Sequence, residues 1–347
     1  MKMFSRQKSL VGLDIGNNEV KVVELTRTPE GLELTGFGWG KIPSPEETLD
    51  TVKAVMRESG ISCRKVATSV SGRSVVVRYI TLPRLDDEEL PETLRLEADK
   101  YIPFDRDEVC IDGQKIESFS EEEDSSEEMK SILVAVKKDL LQDHIDQVQE
   151  LGLIPTVVDV DTFALGNSFD LRTEAGVQDE DTDKAVALVD IGATKTNIHI
   201  VRGKTSCFSR EIYLGGKDLT DAISRREHLD EAEAEDLKCD PQGNEQMVAN
   251  AVQPVLDEIA GEIQLSFDYF ENQFDFAVEE VFLSGGASQT IGLQETFERV
   301  FERDVKTWDP LAMIKVREDL VDVEALNDHL IQLPVALGLG SRIQDCV

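Results

Sequence analysis

The run Val186-Ala187-Leu188-Val189-Asp190-Ile191-Gly192-Ala193-Thr194-Lys195-Thr196-Asn197 decides how the rest of the chain is read. Val186 to Val189 is apolar and long enough for a buried strand, and Asp190-Ile191-Gly192 then turns into small and hydroxylated residues. Asn197-Ile198-His199-Ile200-Val201 resumes strand character, so the unit is a hairpin whose tip can offer backbone N–H groups and hydroxyls to an anion. The same pattern occurs at Leu10–Val23, with Asp14-Ile15-Gly16-Asn17-Asn18 at the turn. Asp190 follows Asp14 by 176 residues, a repeat that predicts two like domains facing one another across a cleft.

A chain of 347 residues can bury a sizeable core and divide into two domains or more. Hydrophobic residues at 40% and charged residues at 31% place it in the globular class. The formal charge of -34 opposes binding to nucleic acid or to an anionic membrane surface, except where a metal reverses the field locally, as magnesium bound with a nucleotide would. Solvated acidic faces account for most of that charge. Cys63, Cys110, Cys207, Cys239 and Cys346 are scattered and form no Cys-x-x-Cys pair, which fits a reducing compartment. Met1 to Leu10 has no apolar run behind its basic residues, so no signal peptide is expected, and no stretch approaches the roughly 20 apolar residues of a membrane span. A protein inside the cell, given any membrane address by a partner, is the resulting expectation.

In chain order, strands at Val20–Thr26 and Gly31–Phe37 complete a meander with the first hairpin. A helix from Ser44-Pro45 to Gly60 and a strand at Val66–Val70 follow. Beyond Gly72 the pattern gives a strand at Ser74–Ile80, a helix from Asp86 to about Tyr101, and strands at Asp107–Phe119 and Lys130–Val136 around an acidic loop, Ser120–Glu128. An amphipathic helix at Lys138–Leu151 closes this part. Residues 72–153 therefore read as a small α/β subdomain inserted into a first domain made of 1–71 and 154–185. That domain regains a strand at Thr156–Asp161, a helix at Thr162–Leu171 and a polar turn at Asp179–Lys184. Residues 186–347 form the second domain, with a strand at Thr205–Glu211, a helix from Asp218 and helical patterning at Glu231–Lys238 and Glu245–Phe276. A strand running into Gly285-Gly286, a helix at Leu293–Phe301 and a small-residue helix at Pro334–Gly340 end the chain.

Each Asp-x-Gly turn has a mechanical rationale: the aspartate can hold a metal or its water, while Gly16 or Gly192 lets backbone approach a phosphate. Ser284-Gly285-Gly286-Ala287-Ser288 would let an adenine and ribose lie against bare backbone. Asp159 and Asp161 have the spacing of a calcium loop but lack its glycine and closing glutamate. Glu235 and Lys238 are three apart on a helix and read equally as a surface ion pair or as ligands. His199, between Ile198 and Ile200, reads as strand packing. Tyr101-Ile102-Pro103-Phe104 reads evenly as a hydrophobic helix cap or as a grip on an extended peptide.

Taken together, Asp14-Ile15-Gly16, Asp190 to Thr196, Gly215-Gly216 and Ser284 to Ala287 resemble the superfamily of actin, heat-shock 70 chaperones, sugar kinases and the division protein FtsA. Ser71 to Arg78, Leu82-Pro83 and Glu97 to Phe104, with Val157–Leu165, Leu283–Gly292 and Ala336–Leu339, are similar to the PilM family of type IV pilus assembly. The resemblance implies an α/β, actin-like (ribonuclease H-like) two-domain ATPase fold, with an inserted subdomain as in FtsA and a C-terminal helix returning to the first domain. It implies ATP and Mg2+ as ligands. Gly16, Asn17 and Asn18, with Lys21 nearby, and Asp190, Gly192, Ala193, Thr194 and Thr196 would take the phosphates. Gly215, Gly216, Glu235, Lys238, Gly285, Gly286 and Ser288 would approach sugar and base. Asp14 and Asp190 would hold the metal through water, and Asp161 would orient the attacking water.

The same resemblance implies a cytoplasmic protein recruited to the inner membrane, bound to the N-terminal cytoplasmic peptide of PilN. Arg73, Tyr101, Ile102, Pro103 and Phe104 would line a groove for that peptide between the first domain and the insert. Other inner-membrane platform proteins and the pilus motor ATPases are further implied partners. Asn17-Asn18 stands where many superfamily members carry Ser or Thr; asparagine still donates to phosphate oxygens, but fast hydrolysis needs water placed more accurately than binding does. Slow or absent hydrolysis is therefore expected. The alternatives are a nucleotide-free scaffold like the cytoplasmic domain of GspL, an FtsA-like filament protein and a small-molecule kinase.

Overall fold

Strand β1 (Lys8–Ile15) sends Val11 and Leu13 to one face and Leu10 and Gly12 to the other, and both faces are covered. The computed structural model containing it describes residues 8–116, 126–174 and 184–344, so most of the acidic run Ser120–Glu128 and of the turn Asp179–Lys184 lies outside the described residues. β1, β2 (Glu19–Thr28) and β3 (Gly31–Lys41) form an antiparallel meander. After α1 (Thr48–Glu58), β4 (Lys65–Val70) joins the other side of β1 in parallel.

The chain then leaves this sheet to build the insert. β5 (Val75–Pro83), α2 (Leu90–Glu97), β6 (Val109–Lys115), β7 (Glu128–Lys137) and α3 (Lys138–Glu150) give a three-stranded antiparallel sheet in the order β5-β7-β6. The sequence pattern places helix from Asp86 to Tyr101, but α2 is shorter. Pro91 has no N–H to give a preceding turn and so sits in the first turn of α2, while Asp86–Glu89 closes a separate turn through Glu89 N to Asp86 O at 3.1 Å. The strand expected from Asp107 begins at Val109, because the Asp105 carboxylate accepts from Asp107 N and holds Arg106–Glu108 in a tight helical turn.

β8 (Ile154–Val160) returns to the first sheet beside β4, and α4 (Asp161–Glu174) follows it directly. The second sheet is built on the same plan. β9 (Ala185–Ile191), β10 (Thr196–Arg202) and β11 (Thr205–Ile212) are an antiparallel meander. α5 (Gly216–Glu227), α6 (Glu231–Cys239) and α7 (Glu245–Phe274) then lead to β12 (Val278–Ser284), parallel to β9. α8 (Leu293–Phe301) and β13 (Val305–Thr307) complete it. Counted from their meanders, both sheets run third, second, first, fourth, fifth; a short β14 (Lys315–Val316) then extends the first sheet beside β3. α9 (Val323–Asp328) precedes α10 (Pro334–Ser341).

α4 and α10 lock the two sheets together. All eight residues of α10 are buried, and it crosses β1 and α4 at positions with no room for a side-chain carbon. A Cβ at Gly12 would meet Ala336 O at 1.9 Å, and one at Gly338 would meet Ala164 O at 1.7 Å. The other side of α4 carries Leu165 and Phe169 onto Leu188, Val201, Phe282 and Trp308 of the second domain. Gly338→Ala is expected to destabilise by about 1–3 kcal/mol or more through overpacking. Gly261→Ala in α7, where a Cβ meets nothing within 4 Å, is expected to stabilise by about 0.5–1 kcal/mol. Denaturant midpoints of the two variants check the contrast.

Candidate functional site

The two Asp-x-Gly turns face each other across a cleft of about 270 Å³. Each follows the end of a strand, and the two are closed alike: Gly16 N donates to Glu19 O at 2.9 Å, and Gly192 N to Lys195 O at 2.9 Å. Register repeats the likeness, since Lys21 lies opposite Asp14 on β2 and Asn197 opposite Asp190 on β10. Asn17 Nδ2 donates to Thr194 Oγ1, so the loop tips touch across the cleft. Gly285 has φ +85° and lies against the backbone of Ile191, where a Cβ would meet the Ile191 carbonyl oxygen at 2.4 Å. The glycine turn after β12 is thereby pressed onto the second loop.

The cleft lining contains five carboxylates, Asp14, Glu19, Asp161, Asp190 and Glu235, against three lysines, Lys21, Lys195 and Lys238. Burial raises the Asp14 and Asp190 carboxyls above their ordinary value even though Lys21 pulls both down. Lys21 Nζ is 3.2 Å from Asp14 Oδ2; burial alone would lower its pKa, yet Asp14, Glu19 and Asp190 hold it up. Ser284 Oγ donates to Asp190 Oδ1 at 3.0 Å. Asp161, at the start of α4, also loses hydration by burial, yet Lys195 and the hydroxyls of Ser69 and Ser71 keep it below the usual carboxylate range. Lys195 Nζ lies 2.6 Å from Asp161 Oδ2 and 3.1 Å from Glu211 Oε1.

Most residues expected from the sequence meet here. Gly16, Asn17, Asn18, Gly192, Ala193, Thr194, Gly216, Gly285 and Gly286 line the cleft with the charged groups already named. Glu235 and Lys238 are part of it and no surface pair: Lys238 Nζ donates to Glu235 Oε2 at 2.7 Å, Thr220 Oγ1 at 2.9 Å and Gly216 O at 3.1 Å. Three residues do not reach the lining. Thr196 is fully buried and its hydroxyl donates to Leu214 O, Ser288 donates back to Gly285 O, and Gly215 is packed against Gly192 and Lys195. Ser71, Lys195, Asn197, Cys239, Gln289, Thr290 and Gln332 also line the cleft, although the sequence pattern assigns them no ligand role. Position three after Gly192 was the available signal for Lys195; Gln332 comes from a distant part of the chain and carried none.

A second groove, of about 470 Å³, opens between the insert and the first domain and reaches the second sheet. Ile132, Val134 and Val136 of β7, Leu141 and Ile145 of α3, Val158 of β8 and Phe163 of α4 give it apolar walls. Arg73, Tyr101, Ile102, Pro103 and Phe104 do not line it. Successive side chains of a strand face opposite ways, and Leu133 and Ala135 turn toward α2, where Ile102 is buried and Tyr101 and Phe104 pack. The Tyr-Ile-Pro-Phe segment thus supports the sheet from behind, with Lys137 Nζ 4.9 Å from the centre of the Phe104 ring. Arg73 instead lies over Tyr213 of the second domain.

Four similarities bear on what these sites are. Among solved structures, the chain resembles MreB5 of Spiroplasma citri bound to ADP (11% identity, 98% of this chain and 97% of that one, TM-score 0.53). It resembles the PilM-PilN type IV pilus biogenesis complex more strongly, at 27% identity over 96% of this chain and 98% of that one, with a TM-score of 0.84. The architecture is the actin-like ATPase fold. A family model described as type IV pilus assembly protein PilM matches residues 12–344, and the chain belongs to that family. The cell division protein FtsA of Bacillus subtilis (strain 168) is 22% identical over 256 residues, covering 66% of this chain; the chain spans 57% of the length of that curated relative. Among the described residues, no helix is long and apolar enough to cross a membrane.

His199 lines the second groove, is 2% exposed, and its Nδ1 has no hydrogen-bond partner among the described residues. Burial lowers its pKa from 6.5 to about 4, so the unfolded chain takes up this proton before the folded one. Stability from this site is whole above pH 6.5 and falls as pH drops toward 4, by about 3 kcal/mol in all. Denaturant titrations between pH 7 and 4 should show that slope, reduced in His199→Gln.

Proposed function

We propose that this chain binds ATP with magnesium across the cleft and serves as an actin-like adaptor of type IV pilus assembly. The observation that carries the nucleotide reading is the pair of equivalent strand-end turns, each closed by its glycine N–H and each placing an aspartate at one cleft. The carboxylate excess there would repel a bare polyphosphate. A divalent cation, held through water by Asp14 and Asp190, supplies the positive charge that lets phosphates approach. Gly16, Gly192, Gly216, Gly285 and Gly286 line the cleft without side chains, which fits phosphate and ribose against main chain.

Asp161 remains the candidate for orienting water. Its oxygens already accept from the hydroxyls of Ser69 and Ser71, which supports slow or absent turnover and a nucleotide that acts as a clamp between the two domains.

The solved relative described as a PilM-PilN complex supports a PilN protein as the partner, and its N-terminal cytoplasmic peptide is the segment this reading assigns to the contact. We assign that peptide to the second groove. β6 has a hydrogen-bonded strand neighbour on one side only among the described residues, and an extended peptide can dock beside such an edge over apolar walls. In this reading the protein is cytoplasmic and reaches the inner membrane through that partner.

Two measurements test the reading. ATP with magnesium at about 100 times its Kd should raise stability by about 2.7 kcal/mol, seen as a higher melting temperature that is lost in Asp14→Ala and Asp190→Ala. No rise in the native protein would favour the nucleotide-free scaffold. Calorimetric titration with the partner's synthetic N-terminal peptide should show binding that Val134→Asp weakens at least tenfold, by placing a second carboxylate beside Asp112 on an otherwise apolar wall. Unchanged binding in that variant would move the peptide elsewhere.

A further inference from the structure

We propose that Lys195 reads the terminal phosphate of a bound nucleoside triphosphate and, in turning to it, releases an ion-paired bridge that ties the second domain to the root of the insert. This deepens the nucleotide reading above and rests on it.

Lys195 sits on the turn after Gly192, and its ammonium bridges two carboxylates from different parts of the molecule. Asp161 begins α4 after the first sheet, at 2.6 Å, and Glu211 lies near the end of β11, at 3.1 Å. Glu211 continues the chain of contacts: its Oε2 and Oε1 accept from Gly72 N at 3.1 and 3.3 Å, and its Oε2 from Tyr213 Oη at 3.4 Å. Arg73 covers the Tyr213 ring at 5.0 Å. Gly72 and Arg73 are the link between β4 of the first sheet and β5 of the insert, and Gly72 holds φ +92° there. A single lysine at the phosphate loop thus joins three bodies.

Lys195 is also the cleft cation best able to change partners. Lys238 is held by three fixed acceptors and its side chain is 8% exposed, while Lys21 stands between Asp14 and Glu19 opposite its own strand end. The Lys195 side chain is 21% exposed, and its flexible stem can re-aim a compact charge over several ångströms. A terminal phosphate carries more charge than either carboxylate and would compete with both. Once the ammonium turns away, Asp161 and Glu211 face each other with no cation between them and repel. The Glu211 carboxylate then withdraws, and the Gly72 amide loses its acceptor. A diphosphate lacks the competing group and leaves the bridge closed.

The test uses the full chain with the magnesium complexes of ADP and of the non-hydrolysable triphosphate analogue AMPPNP, titrated calorimetrically, together with hydrogen exchange at Gly72. In native protein the triphosphate analogue should speed exchange at Gly72 and ADP should not. Lys195→Gln should cut the ratio of triphosphate to diphosphate affinity about tenfold or more, the worth of a charge-assisted hydrogen bond, and Lys195→Arg should restore most of it. Glu211→Ala, which removes the acceptor of Gly72 N, should show fast exchange at Gly72 without any nucleotide. If the native protein binds neither nucleotide, the nucleotide reading itself fails. If it binds both, but Lys195→Gln keeps the native affinity ratio or Gly72 exchanges alike with each, the assignment to Lys195 is overturned alone.

Discussion

The structure depends on a contact in which backbone meets backbone. α10 can lie against β1 and α4 only because Gly12 and Gly338 present no Cβ; at either position a methyl group would fall inside the van der Waals surface of a carbonyl. That approach seats α4, and α4 in turn carries Asp161 at its first turn and Leu165 and Phe169 on its far side against the second domain. α10 therefore sets the distance between two sheets whose strands, among the described residues, do not pair with one another. A cleft between separately built sheets keeps its shape only if such a wedge fixes them.

Within that frame the cleft is an electrostatic balance. Removing carboxylates from water is costly, and the fold offsets the cost with lysines, two of which serve more than one acid. Lys21 pairs with Asp14 and lies within 3.9 Å of Glu19, while Lys195 pairs with Asp161 and Glu211. Asp14 and Asp190 stay the least compensated, which is why burial dominates their titration. A dication brought with an anionic ligand would complete the set.

The repeat of the two Asp-x-Gly hairpins was legible because it is local: strand, carboxylate, glycine and return strand lie within a dozen residues. The order of strands and helices in the segment from β5 to α3 was legible for the same reason. The two faces of its sheet were not, because Tyr101 to Phe104 and the groove belong to opposite sides of one sheet, and only the pairing of β7 between β5 and β6 decides which side any residue takes. Thr196 misled in the same way: its hydroxyl type suits a phosphate, but its place on β10 turns it inward to Leu214.

By itself the sequence determined the duplicated Asp-x-Gly turns, the order of strands and helices between them, the acidic character and the family whose pattern these follow. Periodicity and turn chemistry are carried by neighbouring residues, so they survive without coordinates. Only the tertiary structure decided that Lys195 joins Asp161 to Glu211, that Gln332 comes to the cleft, and that the apolar groove lies in front of β7 and not at the aromatic-proline segment behind it. Those are meetings between residues far apart in the chain, brought about by strand register and by the close seating of α10, and neither is written in any single stretch of sequence.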